Sequence, residues 1–179
     1  MRVGILAVQG AFAEQASAFS RCGAETFEIR QPKDLKRPFD ALVLPGGEST
    51  VQGKLLKELG LFDPLKAKIE RGLPVFATCA GLILLARELE NDPTVWFGLL
   101  PIKVRRNAYG RQLGSFSHNG ETFIRAPGIV EIDAEVETLS EFEGRPTGVR
   151  YRNLTAYAWH PELSEAGTEI AKFLSSFSK

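Results

Sequence analysis

Cys79 closes the apolar run Leu73-Pro74-Val75-Phe76-Ala77-Thr78, and Ala80-Gly81-Leu82-Ile83-Leu84-Leu85 follows it. A strand that ends at a cysteine, then two small residues, then a helical run lifts one thiol onto a sharp strand-to-helix turn, the arrangement of a nucleophile elbow. At a helix N-terminus the backbone dipole and free N–H groups favour thiolate over thiol. The chemistry implied is attack on a carbonyl carbon. Such a nucleophile needs a base, and the base needs an orienting group.

The chain has two histidines, His118 and His160. His118 lies in Ser117-His118-Asn119-Gly120, which reads as an exposed hairpin turn. His160 follows an apolar strand and precedes Pro161, which favours extended geometry. Alternation in an extended segment then directs His160 and Glu162 to the same side, the carboxylate holding the imidazole. For the oxyanion of acyl transfer, the N–H of Ala80 is one donor. The glycine turn Pro45-Gly46-Gly47 is the natural source of a second, because it has no side chains to block close approach. A phosphate-binding reading of Pro45-Gly46-Gly47-Glu48-Ser49-Thr50 is weaker, since the segment lacks the P-loop lysine and Glu48 repels phosphate. Arg105, Arg106, Arg111 and Arg125 stand beside turns and strand ends, as arginines that grip a substrate carboxylate do.

The elements that must position these residues alternate in the first half. Arg2–Val8, Ala24–Arg30, Phe39–Leu44 and the run into Cys79 read as strands. Ala11–Arg21, Thr50–Leu59 with Ser49 as cap, Phe62–Glu70 and Gly81–Glu88 read as helices. Such alternation predicts a parallel, doubly wound sheet covered on both faces, with its site at the carboxyl ends of the strands. From Gly98 to Tyr157 the runs are shorter and punctuated by Gly, Pro and Asn: Ile102–Arg105, Gln112–Phe116, Thr122–Arg125, Ile129–Val136 and Thr147–Arg152. They predict an antiparallel flank. Thr155–Trp159 is one more strand, and Glu165–Phe177 is a final amphipathic helix. The expected architecture is α/β, a central mostly parallel sheet with an antiparallel flank, in one domain over residues 1–179.

The 179 residues carry 22 basic and 22 acidic side chains, so the formal net charge is zero and no basic surface for nucleic acid or membrane is expected. The opening Met1–Gln9 meets polar residues too soon for a signal peptide or a membrane span. Two cysteines, Cys22 and Cys79, do not make a disulfide framework and fit a reduced, cytoplasmic setting. Cys22 reads as a small buried side chain on a helix.

Leu44-Pro45-Gly46-Gly47-Glu48-Ser49-Thr50, Thr78-Cys79-Ala80-Gly81-Leu82-Ile83, Arg106-Asn107-Ala108-Tyr109-Gly110-Arg111-Gln112, Phe123-Ile124-Arg125-Ala126-Pro127 and His160-Pro161-Glu162-Leu163 together resemble the glutaminase subunits of pyridoxal 5′-phosphate synthase. Val8-Gln9-Gly10-Ala11 fits as well, and the resemblance spans essentially the whole chain. The cysteine elbow and His-Pro-Glu mark only the broader class I glutamine amidotransferases; the glycine and arginine segments are more specific. The resemblance implies a flavodoxin-like three-layer sandwich and hydrolysis of L-glutamine to glutamate and ammonia through a thioester. Cys79 would be the nucleophile, His160 base and then acid, and Glu162 its orienter. The oxyanion would rest on Gly47 and Ala80, and glutamine on Gly47, Glu48, Ser49, Arg106, Ile124 and Arg125. It further implies a (β/α)₈-barrel synthase subunit that receives the ammonia in a large hetero-oligomer. No metal or cofactor would belong to this chain, pyridoxal 5′-phosphate being the product of the complex. A stand-alone cysteine hydrolase of the same fold and a non-catalytic glutamine-sensing subunit are the alternatives. Trp159 and Ala77 depart from the usual phenylalanine and glycine, and Ser117–Thr122 is shorter than usual.

Overall fold

A computed structural model describes residues 1–108, 115–118 and 121–177. The first half alternates as the sequence predicts: β1 (Arg2–Leu6), α1 (Phe12–Arg21), β2 (Glu25–Ile29), β3 (Ala41–Leu44), α2 (Ser49–Glu58), α3 (Phe62–Glu70) and β4 (Val75–Thr78). α4 (Ala80–Leu85) leads directly into β5 (Ala86–Leu89). Then come β6 (Leu100–Arg105), β7 (Ser115–His118), β8 (Glu121–Ile124), β9 (Gly128–Ile132), β10 (Glu137–Phe142), β11 (Arg145–Tyr151), β12 (Leu154–Tyr157) and α5 (Thr168–Phe177). Two 3₁₀ turns, Pro32–Lys36 and Pro161–Leu163, complete the described elements.

The main sheet has seven strands in the order β2-β1-β3-β4-β12-β11-β10. Its first five strands are parallel, and β12–β11 and β11–β10 pair antiparallel. With β12 as fifth parallel strand, this is the 2-1-3-4-5 order of flavodoxin-like sheets, with its switch point between β1 and β3. The expected α/β architecture with an antiparallel flank is present.

Strand alternation divides the core. Leu42 and Leu44 of β3, Val75 and Ala77 of β4, and Leu154 and Ala156 of β12 pack with Leu56, Leu65, Ile69 and with Leu82, Ile83, Leu84 and Leu85 of α4. Ala41, Val43, Phe76 and Tyr157 face the other way, onto Ala18 and Phe19 of α1 and Ile170, Phe173 and Leu174 of α5. Phe76 meets Phe19, Phe173 and Tyr157 with ring centroids 5.2–5.5 Å apart. Nearly every one of these side chains is fully buried. Both faces of the parallel sheet are therefore covered, which leaves the strand ends as the places where polar chemistry can meet solvent.

Three elements differ from the sequence reading. The helix after Cys79 stops at Leu85 because residues 86–89 pair with β6, Ala86 opposite Leu100 and Leu89 opposite Val104. β10 is an unexpected strand, joined to β11 by Glu143-Gly144 at φ 50° and 72°; two consecutive positive φ values are the signature of a tight hairpin turn. Ser49 is the first residue of α2 rather than its cap, a position held by Glu48. Ser117 and His118, expected in a hairpin turn, instead end β7, paired with Thr122 and Glu121; the expected strand start at Gln112–Gly114 and the rest of that turn, Asn119–Gly120, lie outside the described residues. Cys22 closes α1 and is half-buried, its thiol 3.7 Å from the Gly167 carbonyl oxygen. Both cysteines are free.

Candidate active site

Cys79 sits where β4 ends and α4 begins, its N–H bonded to the Tyr157 carbonyl at 2.8 Å. Its backbone is at φ 48°, ψ −102°, a sparsely populated region for a residue with a Cβ, of the kind found at functional turns. The turn closes tightly because of Gly81. A Cβ there would overlap the Leu44 carbonyl oxygen of β3, so only glycine lets α4 start hard against the sheet. The elbow expected from the sequence is formed.

His160 and Glu162 follow β12, the strand beside β4. His160 Nδ1 lies 2.7 Å from Glu162 Oε1, and both residues are buried, 7% and 3% exposed. The route to this contact is not the extended alternation expected. Pro161–Leu163 is a 3₁₀ turn with His160 as its N-cap, and the turn folds the carboxylate back onto the ring. Against a carboxylate Nδ1 is the donor, which fixes the tautomer and leaves Nε2 as the reactive nitrogen. Nε2 has no hydrogen-bond partner among the described residues. Burial pulls the imidazole pKa down, but interaction with the Cys79 thiol and with the Glu162 carboxylate outweighs it and raises the value to about 10. The ring thus prefers to hold a proton when thiolate and carboxylate flank it.

The turns after β1 and β3 complete the floor. A Cβ on Gly46 would stand 2.6 Å from His160 Cε1 and 3.5 Å from Cys79 Cβ, so glycine leaves room for both side chains. The Gly46 carbonyl accepts the Ala11 N–H at 3.0 Å. In a trans peptide the next N–H points the opposite way, so the Gly47 N–H is turned from the Gln9–Ala11 turn. Gln9 Oε1 accepts the Glu48 N–H at 2.9 Å.

A cleft of about 280 Å³ opens over the thiol, lined by Gln9, Gly47, Glu48, Ser49, Cys79, Ile83, Arg106, Asn107, Ile124, Arg125 and His160. It is near the small end of ligand clefts, which run from roughly 300 Å³. Arg106 donates through Nη1 to Ser49 Oγ at 2.9 Å and Thr50 Oγ1 at 3.0 Å, and its Nη2 lies 3.4 Å from Asp92 Oδ2. Its Nε is buried without a partner among the described residues. Arg125, at φ 46°, pairs across the mouth with Glu48 at 3.2 Å; both side chains are exposed. The Ile124 carbonyl lies 3.9 Å from Cys79 Sγ, and His160 N–H bonds the Thr122 carbonyl at 2.9 Å. β8 is thereby held over the site.

The structure brings Cys79, His160, Gly47, Glu48, Ser49, Arg106, Ile124 and Arg125 to the one cleft. Glu162 stands behind His160, and Ala80, buried, starts α4 beside the nucleophile. Arg105 is not part of this group: it is exposed and bonds Glu90 instead. Arg111 lies outside the described residues. Sequence reasoning missed Asn107 and Ile83 in the lining, Asp92 behind Arg106, and the active part of Gln9. An apolar or amide side chain carries no chemical signal until the fold places it; Gln9, directly after β1, was the most accessible to a strand-end argument. Among the described residues, no three His, Cys, Asp or Glu side chains group to hold a metal, and no helix is long and apolar enough to cross a membrane.

A thiol on an elbow, paired with a carboxylate-held histidine at the carboxyl ends of a flavodoxin-like sheet, defines a class, the class I glutamine amidotransferases. A solved structure described as a glutamine amidotransferase superposes with a TM-score of 0.88 at 38% identity, covering 97% of both chains. The PurLQS structure from Thermotoga maritima shares the fold at a TM-score of 0.66 and 18% identity, covering 99% of both chains.

More narrowly, the chain belongs to the SNO glutamine amidotransferase family, whose model matches residues 5–178. It is similar to proteins named pyridoxal 5′-phosphate synthase subunit PdxT. That of Desulfitobacterium hafniense is 51% identical, the match covering 99% of this chain and 94% of the relative. That of Bifidobacterium longum is 48% identical, over 96% and 98%.

Proposed function

We propose that this chain is the glutaminase subunit of a pyridoxal 5′-phosphate synthase, hydrolysing the side-chain amide of L-glutamine to glutamate and ammonia. The observation that carries the reading is the buried line of Glu162, His160 and Cys79 across the adjacent ends of β12 and β4. The relatives' names supply the pathway.

His160 Nε2 takes the thiol proton, and the elevated imidazole pKa favours the resulting imidazolium beside thiolate and carboxylate. The thiolate forms a C–S bond to the amide carbon, and the carbonyl electrons move onto oxygen. The N–H groups of Ala80 and Gly47 receive that oxyanion, the Gly46 carbonyl's bond to Ala11 keeping the Gly47 N–H off the Gln9–Ala11 turn. Collapse of the intermediate breaks the C–N bond as His160 delivers its proton to the departing nitrogen, releasing ammonia. Water, deprotonated by His160, then cleaves the thioester to glutamate.

The zwitterionic end of glutamine suits the cleft mouth. Arg106, with its unpartnered Nε, and Arg125 match the α-carboxylate, while Glu48 matches the α-ammonium. Ser49 and Ile124 shape the walls. The chain works in the cytoplasm with no cofactor or metal of its own. Ammonia passes to a (β/α)₈-barrel synthase subunit in a hetero-oligomer, where pyridoxal 5′-phosphate is made.

The test is glutamate release from L-glutamine by the purified chain, with and without its cognate synthase subunit, beside Cys79→Ala. Partner-dependent release that Cys79→Ala abolishes supports the reading. Vigorous release without the partner favours a stand-alone hydrolase. No release from the wild-type complex favours a glutamine-sensing role.

A further inference from the structure

Behind the glycine turn stands a buried side chain that the catalytic scheme does not use. Gln52, on the second turn of α2, is fully buried. Its single amide nitrogen donates to two carbonyls, Gln9 at 3.0 Å and Pro45 at 3.2 Å. These belong to the turns after β1 and β3, the two strands that flank the switch point of the sheet. A Cβ on Gly47 would lie 3.0 Å from the same nitrogen, so Gln52 is packed directly against the peptide in question.

Two further bonds cross between the turns: Ala11 N–H to the Gly46 carbonyl at 3.0 Å, and Glu48 N–H to Gln9 Oε1 at 2.9 Å. Gln52 is the one side chain among these partners that grips both turns from below. Its Oε1 has no hydrogen-bond partner among the described residues. A half-satisfied buried amide is a poor device for stability, since the lone oxygen forfeits its hydration. An apolar side chain of equal length would fill the space and spare the lone oxygen, at the cost of the donor now shared by the two carbonyls. What the amide adds, beside the two bonds already crossing between the turns, is one donor shared by the Gln9 and Pro45 carbonyls.

We propose that Gln52 is a positioning residue for the oxyanion site. By clamping the Gln9 and Pro45 carbonyls it sets the Gly46–Gly47 peptide so that the Gly47 N–H can donate to the oxyanion formed when Cys79 attacks. The proposal rests on the glutaminase reading. It gives α2 a second task, since the helix also carries Ser49 and Thr50 against Arg106.

Gln52→Met keeps length and apolar bulk and removes both donated bonds. The assay is steady-state glutamine hydrolysis in the complex with the cognate synthase subunit. It is run beside the rate of Cys79 alkylation by iodoacetamide, a displacement that makes no oxyanion, and the thermal midpoint. Loss of an oxyanion donor costs about 10²–10³-fold in kcat. Displacement of the Gly47 N–H is expected to approach that range, with KM within about threefold and the alkylation rate unchanged. Gln52→Glu, which sets a carboxylate against two carbonyls, is expected to lose at least as much kcat.

A kcat within twofold of wild type in folded Gln52→Met overturns the proposal. So does a fall in kcat, KM affinity and alkylation rate together, the pattern of a merely loosened fold. Should Gln52→Met not fold, Gln52→Asn, whose amide is one carbon too short to reach both carbonyls, is read by the same criteria. If the wild-type complex itself releases no glutamate, the glutaminase reading falls and this proposal with it. Unaltered kcat in Gln52→Met beside an active wild type removes the clamp alone.

Discussion

Replacing Glu162 by glutamine removes one charge from the centre of the site and little else. The carboxylate is 3% exposed and 2.7 Å from His160 Nδ1, so no water stands ready to replace it. The imidazole pKa rises from 6.5 to about 10 against the opposing effect of burial. The thiol and the carboxylate together thus outweigh burial. An adjacent opposite charge moves a pKa by about 1–3 units, so loss of the carboxylate lowers the thiolate–imidazolium population by about 10²-fold. A neutral amide can also donate its NH2 to an unprotonated Nδ1, which admits the other tautomer, and a wrong tautomer alone has cost about 10⁴ in a comparable triad. The expected loss in kcat is thus between about 10² and 10⁴, with KM nearly constant because Glu162 does not line the cleft. The sign of the pH effect follows from the raised pKa. Stability from the charged His160 is fully present below pH 6.5 and is lost as pH rises through about 10. In Glu162→Gln the alkaline limb of kcat moves toward neutral pH, and the thermal midpoint loses its decline between pH 7 and 10. Glutamate release in the synthase complex across this range measures the first, and calorimetry the second. A kcat within tenfold of wild type and an unmoved alkaline limb would refute the assigned role of Glu162.

The backbone of Cys79 carries a second expectation. Its positive φ costs any residue with a Cβ about 1–3 kcal/mol. Cys79→Gly is therefore expected to unfold at higher denaturant than Cys79→Ala, by about 1 kcal/mol, although glycine ordinarily ranks below alanine; the ordinary ranking would count against strain at the elbow. Arg106→Lys replaces a fork that reaches Ser49, Thr50 and Asp92 by a single ammonium. KM for glutamine is expected to rise about tenfold with kcat changed less than threefold, the mark of lost uniform binding; an unchanged KM with a large drop in kcat would place Arg106 in the chemistry instead.

The chemistry was more legible than the scaffolding around it. Cys79 and His160 were legible because each follows an apolar strand, which is read from local pattern, and Glu162 because it lies two residues beyond His160. The same locality misled elsewhere. Ala86–Leu89 continues an apolar helical run, and only its pairing with Leu100–Val104 makes it extended. β10 is polar enough to pass for a loop; its signal was the Glu143-Gly144 turn ahead of Arg145–Tyr151. Ser49 reads as a cap by type, yet its hydroxyl receives Arg106 from far along the chain. His160 and Glu162 do meet, but through a 3₁₀ turn, which Pro161 at its first position favours as well as it favours an extended residue before it. Gln52 and Asp92 act on groups distant in sequence, and no spacing announces such a partner.

The insertion of β12 between β4 and β11 also governs when the enzyme acquires its reactivity. β4 presents Cys79 early in synthesis, but its far edge stays unpaired until β5 to β11 have emerged and Leu154–Tyr157 arrives. Pairings so distant close slowly, because chain entropy must be overcome before the contact rewards it. Until then the thiol lacks both the Tyr157 carbonyl that holds its N–H and the histidine that follows β12. The topology thus makes the surroundings of Cys79 a late product of folding, complete only when β12 pairs with β4.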